Sequence, residues 1–152
     1  MQIVRKENSI ALENNILVPH EYFEVGDKKI DWQGEYQIKG VSIRIIEGEE
    51  GRSFLMGSED LRIFCPGTSL PKERELLCDV LLISGKDNIN TPREWKNFVE
   101  DEEPRVLIFL DMDEKTEAIR KELGVADPEN EEKITLVKKN LPQEKSVSYR
   151  LG

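Results

Sequence analysis

Two apolar runs, Asp79–Ser84 (DVLLIS) and Arg105–Leu110 (RVLIFL), constrain this chain more than any other feature. A strand with one face in water alternates apolar and polar residues. A strand that is apolar at every central position must be covered on both faces. Between the runs, Thr91-Pro92 opens a helix reaching about Asp101. Thr91 is its N-cap, Pro92 its first residue, and Glu94 completes a capping box. Trp95, Phe98 and Val99 form its apolar stripe. After the second run, Glu114–Leu123 reads as a helix with Ala118, Ile119 and Leu123 inward, stopped by Gly124. The second half is therefore β-α-β-α.

The first half alternates instead. Gln2–Arg5 and Ser9–Leu12 suggest a hairpin, and Glu13-Asn14-Asn15 a turn into Ile16–Val18. His20–Gly26 is ambiguous. Lys29–Glu47 is the stretch around which this half is organised. It reads as a strand to Trp32, a tight turn at GEY, and a long strand through Glu47 whose phase slips at Gly40, as at a bulge. Glu47–Gly51 is an exposed turn. Arg52–Met56 and Leu61–Cys65 extend an antiparallel meander, and Ser69 is placed to cap a short helix, Pro71–Leu77. Lys133–Lys139 and Ser146–Leu151 close the chain as strands. Antiparallel strands followed by β-α-β-α predict an α+β domain of mixed β-sheets with helices, spanning 1–152 without a linker.

The net charge of −9 opposes binding to nucleic acid or anionic lipid, which favour basic faces. No apolar run approaches the roughly 20 residues that span a bilayer, and MQIVRKENS has no secretory pattern. These features predict a cytoplasmic protein in which the two cysteines, Cys65 and Cys78, are reduced thiols.

Four pieces in order carry a resemblance. Ile30–Ile43 (IDWQGEYQIKGVSI) resembles a "GPGEYEVKGV" segment, and DVLLIS resembles "DILFIP". Pro104–Asp111 (PRVLIFLD) resembles a strand ending in "PMH", and Lys133–Leu141 (KITLVKKNL) resembles "KLTIKKKDL". These segments are found in small bacterial metal-dependent hydrolases of the metallo-β-lactamase superfamily. The resemblance implies a reduced metallo-β-lactamase-like αββα sandwich with a shortened N-terminal half. That family holds its metals through an H-x-H-x-D-H loop, and this chain has one histidine in all. Thr68 falls where the family has a bridging aspartate, and Asp111 where it has its last ligand histidine. The resemblance thus implies the fold and argues against the family's hydrolysis.

Among candidate residues, Asp111 and Asp113 follow an apolar strand at its carboxyl end, where α/β sites tend to lie. An apolar strand ending in D-x-D also resembles the nucleophile motif of haloacid-dehalogenase-like phosphatases. The Gly and Thr expected next are absent, and only 39 residues follow Asp113. The competing reading is that Asp113 caps the next helix. His20 reads as a surface or packing histidine and the two cysteines as buried structural thiols, and Ser84-Gly85-Lys86-Asp87 lacks the spacing of a phosphate loop. Trp32, Tyr36 and Trp95 are candidates for a partner surface, with core packing the alternative. The leading expectation is a non-catalytic protein with no metal cofactor, a binding or assembly role, and a homodimeric state burying surface left bare by the short first half. An unknown protein or small-molecule partner is also allowed. The alternative is a divalent-metal hydrolase of phosphoesters or esters using Asp111 and Asp113, with Asp87 or Thr68 nearby.

Overall fold

The computed structural model describes residues 1–48, 51–111, 113–143 and 146–152. Glu49 and Glu50 of the expected Glu47–Gly51 turn lie outside the described residues, as does Met112 of the D-x-D sequence.

Two sheets pack face to face. The first is built of β1 (Gln2–Arg5), β2 (Ile10–Leu12), β3 (Asn15–Val18), β4 (Tyr22–Val25) and β5 (Lys28–Ile30), joined by β13 (Lys133–Thr135). Its order is β13-β1-β2-β3-β4-β5, antiparallel throughout. The second contains β6 (Gly34–Ile38), β7 (Val41–Gly48), β8 (Gly51–Ser58), β9 (Leu61–Cys65), β10 (Val80–Ile83), β11 (Val106–Leu110), β12 (Asn130–Glu131) and β14 (Val147–Leu151). Its order is β12-β14-β11-β10-β9-β8-β7-β6. β6 to β9 form an antiparallel meander, whereas β9, β10, β11, β14 and β12 run parallel.

The apolar runs are β10 and β11, buried at every position as their composition requires. One face, with Val80, Leu82, Ile108 and Leu110, meets the first sheet's Ile3, Leu12, Leu17 and Phe23. The other, with Leu81, Ile83, Leu107 and Phe109, meets Trp95 and Phe98 of α1 (Pro92–Glu102) and Ile119 of α2 (Glu114–Leu123). Helices of this length are marginal alone. Burying a side chain of this size stabilises by roughly 1.5–3 kcal/mol, so packing decides that they form.

Both helices lie on one face of the sandwich. An αββα sandwich carries helices on both outer faces, but among the described residues the first sheet's outer face has none. Gln2, Val4, Ala11, Ile16, Glu24 and Lys29 project there, and the polar members let that face meet water.

Several local expectations are corrected. The long strand through Gly40 is a hairpin. Ile38 pairs with Val41, and Lys39 and Gly40 turn the chain with φ of 49° and 78°. Both residues at positive φ is the signature of a type I′ turn. The GEY tripeptide lies inside β6, not in a turn. Pro71–Leu77 is not helical. Glu75 and Leu77 have φ of 62° and 59°, and the Leu76 amide donates to the Glu102 carboxylate at 3.0 Å. The ambiguous stretch holds β4. Lys133–Lys139 and Ser146–Leu151 enter different sheets, as β13 and β14.

Candidate functional site: the cleft between the sheets

A cleft of about 530 Å³ opens at one end of the sandwich. One wall is made by residues that follow the carboxyl ends of the parallel strands: Thr68 after β9, Ser84 after β10 and Asp111 after β11. The other is made by Arg5 at the end of β1 and by Pro19-His20 in the β3–β4 turn. Outside the carboxyl ends of parallel strands is where open α/β sheets place their ligands.

Arg5 is the residue that sequence reasoning missed. Its Nη2 donates to both carboxylate oxygens of Asp111, at 2.9 and 3.0 Å. The partners stand 106 positions apart in the chain, so no local pattern announces the pair. The Arg5 side chain is 16% exposed and that of Asp111 32%. Arg5 Nη1 is buried without a hydrogen-bond partner, and so is His20 Nδ1. Only one other described side chain, Arg150, leaves such an atom. Buried polar groups are nearly always paired, so two unpaired nitrogens on residues of one cleft mark unused hydrogen-bonding capacity in its walls.

The backbone is strained around the same space. His20, Asp87 and Asp111 have φ of 70°, 56° and 46°. They are three of the ten described non-glycine residues at positive φ, the other seven lying elsewhere in the chain. Asp111 also accepts, through its carbonyl, the amide proton of Asp113.

The structure separates the two candidate aspartates. Asp113 is the N-cap of α2, accepting from the Thr116 amide at 2.8 Å, and it does not line the cleft. Asp87 and Thr68 line the cleft with Asp111. Gly85 sits where a Cβ would meet the Thr116 amide at 2.8 Å and Lys115 Cβ at 2.7 Å. Its own amide donates to Thr116 Oγ1 at 2.7 Å. The glycine therefore serves a close strand–helix approach. Cys65 lines the cleft, and burial pushes its thiol up to about 12, with Arg5 opposing the shift. Cys78 packs in the helix-side core, where burial and then Glu102 and Asp79 push it up to about 12. Trp95 is buried, with Nε1 donating to Asn88 Oδ1 at 3.0 Å, whereas Trp32 is 69% exposed.

A zinc site takes three or four N, S or O ligands in tetrahedral array. The donor set here does not fit one. The Asp111 oxygens are engaged by a guanidinium, and the cleft's other donors, the His20 imidazole, the buried Cys65 thiol and the carboxylates of Glu7, Glu21 and Asp87, are not gathered about one point. Among the described residues no group of three or more His, Cys, Asp or Glu is placed to hold a metal.

No family model matches the sequence, and no curated protein matches it either. The structure is similar to the crystal structure of a proposed Zn-dependent hydrolase of the metallo-β-lactamase superfamily from Thermotoga maritima. The TM-score is 0.72 at 17% identity, covering 100% of both chains. The fold is thus metallo-β-lactamase-like, as the four sequence segments imply. No helix among the described residues is long and apolar enough to cross a membrane.

Proposed function

We propose that this chain is a non-catalytic binding member of the metallo-β-lactamase fold, working without a metal cofactor. Its cleft takes a small polar molecule that offers an acceptor oxygen to Arg5 Nη1 and a hydrogen-bonding group to His20 Nδ1. The observation that carries this reading is the Arg5–Asp111 pair. A guanidinium already neutralises the carboxylate at the strand end, and a fixed cation beside it opposes the entry of a metal ion.

The deciding experiment is metal content by mass spectrometry after incubation with Zn²⁺, Mn²⁺ and Mg²⁺ and desalting, with Asp111→Asn as control. The expected result is no retained Zn²⁺ or Mn²⁺. Near-stoichiometric metal that Asp111→Asn abolishes would overturn the reading. It would favour the second one, a divalent-metal hydrolase using Asp111 with Asp87 and Thr68. That alternative draws support from the three residues sharing one cleft, and it would proceed without Asp113.

A further inference from the structure

The two sheets have four edge strands: β13 and β5 on the first, β12 and β6 on the second. Sheet edges present unpaired backbone groups, and chains that stay monomeric blunt them with short strands, lysines, prolines or bulges. Three edges here are blunted. β12 has only two residues. β13 and β5 have three residues each, and carry Lys133 and Lys28-Lys29 respectively. β6 is different: five residues, Gly34-Glu35-Tyr36-Gln37-Ile38, with no lysine, proline or bulge. Its inward side chains Tyr36 and Ile38 are only half-buried against the central core. The core is therefore open at this edge.

We propose that β6 pairs with β6 of a second copy of this chain, antiparallel about a two-fold axis through Tyr36. Register and charge favour a second copy as the occupant. In a two-residue hairpin the residues flanking the turn form a hydrogen-bonded pair, here Ile38 and Val41. Alternation then turns the backbone groups of Ile38, Tyr36 and Gly34 toward β7 and leaves those of Glu35 and Gln37 at the free edge. About an axis at Tyr36, Glu35 faces Gln37 of the other copy, so the free groups of one edge meet those of the other. The two tyrosines form the non-hydrogen-bonded pair, where side chains approach closest. On the outer face each Gln37 amide lies beside a Glu35 carboxylate, and no like charges oppose. The same register carries the exposed Trp32 to the other copy's Lys39–Gly40 turn. Space there is open, since a Cβ on Gly40 would meet nothing within 4 Å. Lys28 and Lys29 on β5 keep the neighbouring edge from pairing likewise. This interface is independent of the cleft.

The test is sedimentation velocity of the full chain at micromolar concentration, with circular dichroism to verify folding. The wild type is expected to sediment as a dimer. Gln37→Pro removes an edge donor that faces away from β7 and is expected to give a folded monomer. Gln37→Glu sets glutamates opposite each other and is expected to weaken the dimer at least tenfold, least at high salt. Adding Glu35→Lys to Gln37→Glu is expected to restore it. A monomeric wild type overturns the proposal, and so does a dimer that neither Gln37 variant weakens. Failure of the charge swap to rescue overturns the register.

Discussion

Two aspartates stand at opposite ends of the same parallel strands, each beside a cation, and they have different surroundings. Asp79 precedes β10 and is 7% exposed. One oxygen meets Lys138 Nζ at 2.7 Å and the other accepts from the Arg62 amide at 2.9 Å. Its carbonyl accepts from the Arg105 and Val106 amides. Every polar group there has a partner, and the residue ties β9, β10 and β11 together. Asp111 follows β11 with a left-handed backbone, borders an open cleft, and pairs with an arginine that keeps one nitrogen orphaned. Full satisfaction at one end contrasts with a left-handed backbone and an orphaned nitrogen at the other. Their sequence contexts, an aspartate flanking an apolar run, are nearly mirror images.

The largest expected effect follows from that contrast. Asp79→Ala leaves a part-buried amide and a half-exposed lysine unpaired and should destabilise by about 2 kcal/mol, since hydrogen bonds to charged groups contribute about 1.5–3 kcal/mol and solvent screens the lysine's share. Asp111→Asn keeps an acceptor for Arg5 and tolerates the left-handed backbone. It should change stability by no more than about 1 kcal/mol. Urea unfolding of the two variants measures both. Equal losses would break the comparison and make the Arg5–Asp111 pair a structural tie.

The thiols sharpen it through pH. Cys65 at the cleft and Cys78 on the helix side are both held up at about 12, from an ordinary 9.0. The folded chain keeps these protons where the unfolded chain loses them. The thiols' contribution to stability should therefore be constant below about pH 9 and fall as pH rises from about 9 toward 12. Cys65→Ala and Cys78→Ala should each flatten the slope of urea midpoint against pH between about pH 8 and about pH 10.5. An unchanged slope in Cys65→Ala would mean that cleft water reaches that thiol.

What the sequence disclosed divides along similar lines. β10, β11 and both helices were legible because their causes are local or compositional. An all-apolar run needs cover on both faces, and a capping box needs only residues three apart. The Lys39–Gly40 hairpin was misread because a bulge and a two-residue turn slip the alternation in the same way, and Lys-Gly lacks the Asn or Asp that usually marks type I′. The expected helix at Pro71–Leu77 failed on tertiary grounds. Its backbone is held by side chains of other segments, among them Glu102 on the Leu76 amide. Asp111 was singled out by position, but Arg5 could not be, because the fold alone brings it across from β1. The resemblance located the strand ends that form the cleft, and the side chains that fill it are this chain's own.

Caps come next in size. Asp113→Ala should destabilise by about 1 kcal/mol through loss of the Thr116 amide bond, and Asp113→Ser should recover most of it. Neither should alter metal retention or binding in the cleft. An effect of Asp113→Ser on the cleft would rejoin the two aspartates that the structure separates. Thr91→Ala at α1 should cost about as much, because its hydroxyl accepts from the Glu94 amide.

The smallest effect distinguishes the two helix starts from each other. α1 has a reciprocal box, in which the Thr91 amide also donates to Glu94 Oε1 at 2.9 Å, whereas the α2 cap receives one bond. That amide holds the Glu94 carboxyl below its ordinary range. A carboxyl with a lowered folded pKa contributes stability above its unfolded value of 4.5, and the contribution is lost as pH falls through the folded value. Because Glu94 is exposed, solvent screens the effect. Glu94→Gln keeps an acceptor for the Thr91 amide and removes the charge. It should leave the thermal midpoint nearly unchanged at low pH and lower it slightly near neutrality. A drop of equal size at both pH values would assign the box to hydrogen-bond geometry alone, leaving the charge no part in starting α1.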